Sequence, residues 1–241
     1  MAVGGEALPR DAGGSDVLTE LRTATAVEHE QVESTLGLMD PHLGRDRLVA
    51  VLTRLHAFWT AAEAGLDAWA RRQPADAESV GWARRRRAHL FAEDLQALGA
   101  GTGTAERPEL PAVEDTDQAL GRLYVLEGST LGGTFISRHL ATLPTLGPDV
   151  RLGAFSPYGP ETGAMWHAYR RVTRERVAAG GDAGRVVGAA RSTFTALADW
   201  CAPQQDPVLL APRRRTPSSS PLARSQRASG RGWSLGTGPA A

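Results

Sequence analysis

The chain has 241 residues, of which 41% are hydrophobic and 22% charged, and these values are ordinary for a globular domain with a substantial core. Its single cysteine, Cys201, excludes an internal disulfide and a cysteine-rich metal site, so we expect a cytoplasmic protein. No apolar run reaches the ~20 residues that span a bilayer, so we expect no membrane partner. The formal net charge is zero, but residues 211–241 hold six arginines and no acid, which leaves 21 arginines against 27 acids elsewhere. The rest of the chain therefore has a net charge of −6, which argues against a nucleic-acid-binding domain.

The first predicted helix follows residues 1–15, a Gly/Ala-rich segment that we expect to be disordered. The helix is predicted to begin after Ser15 or Asp16 and to end at Leu36, before Gly37. Its inward positions recur at spacings of three and four residues. They are Leu18, Arg22 or Leu21, Thr25, His29, Val32 and Leu36. His29 is therefore predicted to face the core, either as a hydrogen-bonded structural residue or as a ligand.

Two further helices are predicted before residue 100. The second begins at Asp40-Pro41 and ends at Arg72, before Gln73-Pro74. The third begins at Ser79 or Val80 and ends at Leu98. It contains four consecutive arginines, residues 84–87, which we interpret as a solvated helix face paired with neighbouring acids.

The fourth predicted helix begins after Asp115 or Thr116, ends near Leu143-Pro144, and contains three glycines within six residues. Each glycine costs about 1 kcal/mol relative to Ala in a helix interior, so the pattern requires a reason. Gly128 and Gly132 share one helix face about 6 Å apart, and Gly133 follows directly. Either a large planar ligand lies against the bare backbone or another helix packs closely there, and the spacing is compatible with both.

Two helices are predicted in the last part of the domain, from Ala164 to Ala179 and from Asp182 to Trp200. No segment has a convincing strand pattern, so the predicted fold is all-α, with one domain over residues 16–203. Residues 204–241 are rich in Arg, Ser, Pro and Gly and are predicted to be a disordered tail.

Three segments of the chain resemble the heme oxygenases, in particular the bacterial biliverdin-producing branch associated with phytochromes. They are LRTATAVEHEQVE around His29, LGRLYVLEGSTLGGTFISRHL around the glycines, and YGPETGAMWHAYR after them. The resemblance implies a heme-oxygenase-like helical bundle in which heme lies between the first helix and a distal helix that carries the glycines.

The resemblance also implies a role for individual residues. His29 would be the axial iron ligand, and Gly128 and Gly132 would let the distal backbone lie close over the heme. Ser129 stands where animal heme oxygenases carry an Asp that orders distal water, which leaves the proton route undecided. The other implied heme contacts are Arg22 and Tyr124 near the propionates, Phe135 beside the glycines, and Arg171 on the fifth helix, with Arg170 as the fallback.

The activity implied by this resemblance is the oxidative ring opening of heme by O2 to biliverdin, carbon monoxide and ferrous iron. The sequence has neither a nucleotide-binding glycine loop after a strand nor a cysteine cluster, so electrons must come from an external donor such as a ferredoxin or a flavin reductase. A bacteriophytochrome is a candidate acceptor of the biliverdin. Two alternatives stay open: a heme carrier or sensor without turnover, and a helical hydrolase unrelated to heme in which Cys201 is a weak candidate nucleophile.

Overall fold

The computed structural model describes residues 16–103, 106–146 and 151–202. Over these ranges the chain forms α-helices joined by turns and short 3₁₀ segments, without a β-strand, which confirms the predicted all-α class. The helices are α1 (Val17–Ala24), α2 (Ala26–Leu36), α3 (Arg45–Arg72), α4 (Pro74–Ser79), α5 (Ala88–Ala97), α6 (Thr116–Leu140), α7 (Thr162–Ala178) and α8 (Ala183–Cys201). The predictions for residues 1–15 and 204–241 lie outside the described residues.

The predicted first helix is divided into α1 and α2 by Thr25. The backbone at Thr25 has φ −106° and ψ 5°, and its hydroxyl donates a 2.7 Å hydrogen bond to the carbonyl of Leu21, a contact that often bends helices. Asp16 does not cap α1 with its side chain, because its carboxylate pairs with Arg174 instead. Gly37 ends α2 in a left-handed conformation with φ 59°, as its position predicts.

The second predicted helix, α3, begins at Arg45 and not at Asp40. The Asp40 carboxylate accepts the backbone N–H of His42 at 2.8 Å, and such a turn competes with helix formation. The C-terminal boundary at Arg72 is confirmed, and Pro74 occupies the first turn of α4, where its missing N–H costs nothing.

The prediction of one continuous third helix is wrong. Over the predicted range, from Ser79 or Val80 to Leu98, the structure has the end of α4, then Gly81 with φ 69°, a 3₁₀ turn at Trp82–Arg84, and α5 from Ala88. Because the helix is interrupted, the arginine run does not form a solvated face. Arg85 and Arg87 are buried while Arg84 and Arg86 are exposed.

The long helix α6 lies at the centre of the bundle and packs against α3, α7 and α8. Its contact with α8 is close because Gly121 has no side chain; a Cβ there would lie 2.2 Å from the carbonyl oxygen of Val186. Asp115, one of the two residues predicted to start the fourth helix, caps α6 through its side chain, and Asp182, the predicted first residue of the sixth helix, caps α8 in the same way. Large buried side chains around α6, including Trp69, each contribute roughly 1.5–3 kcal/mol through burial. In the part of the chain that the structure describes, no helix is long and apolar enough to cross a membrane.

Candidate functional site

A cavity of about 320 Å³ lies between α2 and α6, with α3, α5, α7 and α8 completing its wall. Its volume falls within the range of small-molecule binding sites, and most of its wall is apolar. The apolar side chains are those of Val32, Leu36, Leu38, Leu55, Trp59, Phe91, Val125, Leu131, Ile136, Ala154, Phe155, Trp166, Phe194 and Leu197. Five polar side chains join them: His29, Glu33, Arg87, Tyr124 and Ser129.

His29 lines this cavity from α2, although its side chain is 54% exposed and not packed in the core as its position in the stripe predicts. Its ring meets the ring of Phe194 edge-on, with centroids 5.6 Å apart. The Nδ1 atom lies 3.8 Å from Oε2 of Glu33, one turn later on the same helix. A neutral imidazole can bind a metal through one nitrogen while a nearby carboxylate orients the ring through the other.

Gly128 and Gly132 line the same cavity from α6. A Cβ added at either position would meet no heavy atom within 4 Å, so close packing against another helix does not explain these two glycines. Gly133 differs, because a Cβ there would lie 1.8 Å from the carbonyl oxygen of Phe155. Close packing therefore accounts for Gly133, whose neighbour is the segment before α7 and not another helix, and it does not account for Gly128 or Gly132.

Ser129, between the two cavity glycines, is hydrogen-bonded to a buried arginine. The Ser129 hydroxyl donates to the carbonyl of Leu126 at 2.7 Å and accepts from Nη2 of Arg87 at 3.0 Å. Arg87 also donates to the Leu126 carbonyl and lies 5.3 Å from the centroid of the Trp59 ring. Burial lowers the pKa of the Arg87 guanidinium, and its Nε has no hydrogen-bond partner among the described residues.

Arg87 is a cavity residue that the sequence pattern did not identify. The sequence signal that could have identified Arg87 is Gly81. This glycine interrupts the predicted third helix and so changes the direction in which the arginines after it point. Glu63 on α3 fixes this segment by accepting the backbone N–H groups of Arg87 and Ala88 at 2.6 and 2.8 Å. Burial raises the pKa of Glu63 despite these two bonds.

A second buried polar group adjoins Arg87. Arg85 forms an ion pair with Glu127 of α6, and the Tyr158 hydroxyl donates to the other Glu127 oxygen at 2.8 Å. Burial, followed by the charge of Glu127, raises the pKa of Tyr158. Buried hydrogen-bonded ions of this kind hold their helices in one arrangement, because removal of one partner leaves an uncompensated charge.

Tyr124 lines the cavity one turn before Gly128 and is half-buried between aromatic rings. Its ring centroid lies 5.9 Å from that of Trp166 and 6.4 Å from that of Phe194. Burial raises the pKa of the Tyr124 hydroxyl, while Thr25 and the charge of Arg22 act in the opposite direction. Arg22 itself is exposed and near Tyr124, outside the cavity lining.

Two further predicted site residues, besides Arg22, are not brought to the cavity. Phe135 is 64% exposed, and its neighbours Leu131 and Ile136 line the cavity in its place. Arg171 is exposed and paired with Glu175. The α7 residue that does line the cavity is Trp166; the fallback, Arg170, lies four residues later on the same helix face and is not part of the cavity lining.

Two observations bear on the chemistry that the cavity can support. Burial raises the pKa of the Cys201 thiol to about 12, which is opposite to the change that activates a nucleophile. Among the described residues, no group of three or more His, Cys, Asp or Glu side chains could hold a metal ion. His29 is the one histidine among the described residues that line the cavity.

Comparison with known proteins gives consistent results. A family described as heme oxygenase matches residues 15–202 of the chain. The chain is 29% identical over 154 residues to a heme oxygenase from Xanthomonas campestris pv. campestris (strain 8004), a match that covers 64% of this chain and 87% of that protein. The fold is similar to that of the NO- and CO-bound heme oxygenase from Neisseria meningitidis, with a TM-score of 0.60 and 19% identity over 80% of this chain and 96% of that one.

Proposed function

The chain belongs to the heme oxygenase family, and we propose that its heme binds in the cavity between α2 and α6 with His29 as the axial ligand of the iron. It is an enzyme that degrades heme. The observation that carries the assignment of the site is the convergence on one cavity of an accessible imidazole from α2 and a bare stretch of backbone, at Gly128 and Gly132, from α6.

The residues of the cavity fit a heme. The wall is mainly apolar, as a planar macrocycle requires. Gly128 and Gly132 leave open space beside the backbone of α6, since a Cβ added at either position would meet no heavy atom within 4 Å. Polar side chains are few: His29 and Glu33 come from α2, Tyr124 and Ser129 from α6, and Arg87 from the start of α5.

His29 would hold the iron through one imidazole nitrogen in the neutral state. Glu33 is the candidate partner for the other nitrogen, because its carboxylate lies 3.8 Å from Nδ1 and needs only a small rotation to accept a hydrogen bond. That bond would select the tautomer in which Nε2 is free for the metal and would increase the basicity of the ligand.

Heme, as both substrate and cofactor, supplies the iron that activates O2 and the ring that is opened, and the proposed products are biliverdin, carbon monoxide and ferrous iron. Gly128 and Gly132 would leave space over the ring for O2 and a water molecule. Ser129 would hold that water. Its hydroxyl hydrogen is directed to Leu126 and one lone pair accepts from Arg87, so one lone pair remains to accept a hydrogen bond from water. The fixed charge of Arg87 favours negative charge that develops on this side of the cavity.

The heme edge is proposed to contact residues outside the apolar wall. Arg22 and Tyr124 are the proposed partners of the heme propionates at one end, and Arg170, in preference to Arg171, is the proposed partner on α7. Arginine suits this role because guanidinium groups bind carboxylates through charge-assisted and often bidentate hydrogen bonds. Phe135 is proposed only as an outer flank of the distal helix.

Electrons are proposed to come from an external ferredoxin or flavin reductase in the cytoplasm, with a bacteriophytochrome as candidate acceptor of the product. Residues 16–203 are proposed to form the complete catalytic domain.

The experiment that tests this function follows heme during turnover. Purified protein is loaded with hemin, mixed with a reductant in air, and monitored by absorption spectroscopy and by chromatography of the pigments formed. We expect the Soret band to disappear as bilin absorption appears. A Soret band that persists would show a heme carrier or sensor on the same fold and would contradict the proposed turnover.

A further inference from the structure

We propose that the protein has a second binding site, for a small oxyanion, at the buried guanidinium of Arg122. The site is a cavity of about 270 Å³ between α6, α8 and the segment before α6, and it shares no lining residue with the proposed heme cavity. It is independent of the proposed function.

Arg122 is a buried cation without a counter-ion among the described residues. The residue is only 4% exposed, and its Nη2 donates to the carbonyl of Pro111 at 2.6 Å. Its Nε is buried and has no hydrogen-bond partner in the part of the chain that is described. The acids of α6 and its cap are engaged by other arginines: Asp115 by Arg185, Asp117 by Arg176 and Glu127 by Arg85.

Such an arrangement is energetically unfavourable unless an anion completes it, because a charge removed from water without a partner carries a large desolvation penalty. Burial lowers the pKa of Arg122 to about 10, so the group is still a cation at neutral pH. A single backbone carbonyl supplies a dipole but no negative charge.

The surroundings of Arg122 accommodate the guanidinium and leave space beside it. A Cβ at Gly65, in the interior of α3, would lie 2.3 Å from Nη1 of Arg122, so a glycine that weakens α3 makes room for the cation. Gln118, Arg185, Ser192 and Thr193 add polar groups to the cavity wall. A guanidinium fork with nearby amide and hydroxyl groups matches the paired oxygens of a carboxylate or a phosphate.

Gly188 provides a way to close the site without altering Arg122. It lines the cavity from α8, and a Cβ there would meet no heavy atom within 4 Å. Gly188→Leu should therefore fill the cavity while slightly favouring the helix. Arg122→Met is the complementary change, since it keeps the apolar stem and removes the charge.

The test is thermal unfolding of the apoprotein in sodium phosphate, sodium acetate and sodium chloride at matched ionic strength and pH. We expect a saturable rise of about 2–4 °C in the melting temperature at roughly five times the Kd of the preferred oxyanion, and no saturable rise in chloride. The phosphate and acetate arms decide which oxyanion class the site takes. Isothermal titration calorimetry with the same salts measures the Kd directly.

Gly188→Leu and Arg122→Met should both lose the oxyanion-dependent rise in melting temperature. Arg171→Met, which removes an exposed arginine, should retain it. In chloride, Arg122→Met should melt no lower than the wild type, because an apolar replacement of an unpaired buried charge is often neutral or stabilising. If that variant does not fold, Gly188→Leu alone decides the result. Absence of the rise in the wild type, or an equal rise in Gly188→Leu, would overturn the proposal.

Discussion

Gly132 and Gly133 are consecutive residues of α6 that face different surroundings. A Cβ at Gly132 would enter open space beside the cavity, whereas a Cβ at Gly133 would lie 1.8 Å from the carbonyl oxygen of Phe155. One position therefore controls the space above the proposed heme, and the next controls how closely α6 approaches the segment before α7. Substitutions at the two positions should separate these roles.

We expect Gly132→Leu to bind ferric heme but to open its ring much more slowly, because the added side chain enters the space needed for O2 and water. The apoprotein should be as stable as the wild type or up to about 1 kcal/mol more stable, since a helical glycine is replaced. Bilin yield from the holoprotein and thermal melting of the apoprotein are measured on the same preparation.

Gly133→Ala is the matched control for this variant. It should lower the free energy of unfolding by about 1–3 kcal/mol, as overpacking does, because the Phe155 backbone has to move. Wild-type bilin yield together with a lowered melting temperature in Gly132→Leu would contradict the assignment of Gly132 to the distal face.

The second prediction concerns the axial ligand. His29→Ala should abolish the native heme spectrum and turnover while helicity stays nearly unchanged, because the His29 side chain is half-exposed and not part of the packed core. Added imidazole should restore part of the spectrum. His167→Ala, at an exposed position of α7, is the matched control and should behave as the wild type. Unchanged turnover in His29→Ala would refute the proposed iron ligand.

The third prediction tests the contact between Ser129 and Arg87. Ser129→Ala removes the hydroxyl that accepts from Nη2 of Arg87 and that is proposed to hold water. We expect heme binding to be retained and ring opening to slow by about tenfold, a loss equivalent to one hydrogen bond to a charged group. Single-turnover spectroscopy in H2O and D2O measures this rate, and the solvent isotope effect should increase if proton delivery becomes limiting. Ser192→Ala on α8 serves as the control, and an unchanged rate in Ser129→Ala would exclude its role in proton delivery.

The fourth prediction concerns stability at acidic pH. Asp117 accepts hydrogen bonds from Nε of Arg176 at 2.7 Å and from the backbone N–H of Asp182 at 2.9 Å. Burial alone would raise the pKa of Asp117, but these two bonds outweigh it and hold the pKa below its usual 3.8. Since the pKa is lower in the folded state, this stabilisation is fully present above about pH 3.8 and is lost as the pH falls through the folded-state pKa.

Asp117→Asn should therefore reduce the free energy of unfolding by about 1–3 kcal/mol at pH 7, and the difference from the wild type should shrink below about pH 3.8. Urea unfolding at a series of pH values measures this difference. Asp199→Asn, an exposed acid of α8, is the control and should have little effect. A constant difference at all pH values would show that the ionised carboxylate is not the source of the stabilisation.

The fifth prediction concerns the C-terminal segment. Because the residues after Pro212 lack apolar periodicity, deletion of residues 213–241 should leave heme affinity and melting temperature unchanged within error. Hemin titration and thermal melting of the two proteins test this expectation. A large decrease in either quantity would mean that the segment contributes to the stability of the domain or to heme binding.

The sequence by itself determined the features that depend on local physics. Asp115 and Asp182 cap their helices and Gly37 ends one, because capping and left-handed backbone are decided within a few residues. The cost of three helical glycines showed that α6 had an unusual environment, and the spacing within the first helix directed attention to His29.

The tertiary structure alone decided what each of these positions faces. Gly128 and Gly133 have the same propensity and differ only in what lies opposite them, which no local pattern contains. Arg87 is buried because Gly81 interrupts the preceding helix and Glu63, 24 residues earlier, fixes the backbone of the turn. That Arg122 has no counter-ion among the described residues likewise follows from the arginines of other segments that engage the acids of α6 and its cap, contacts that are distant in the chain.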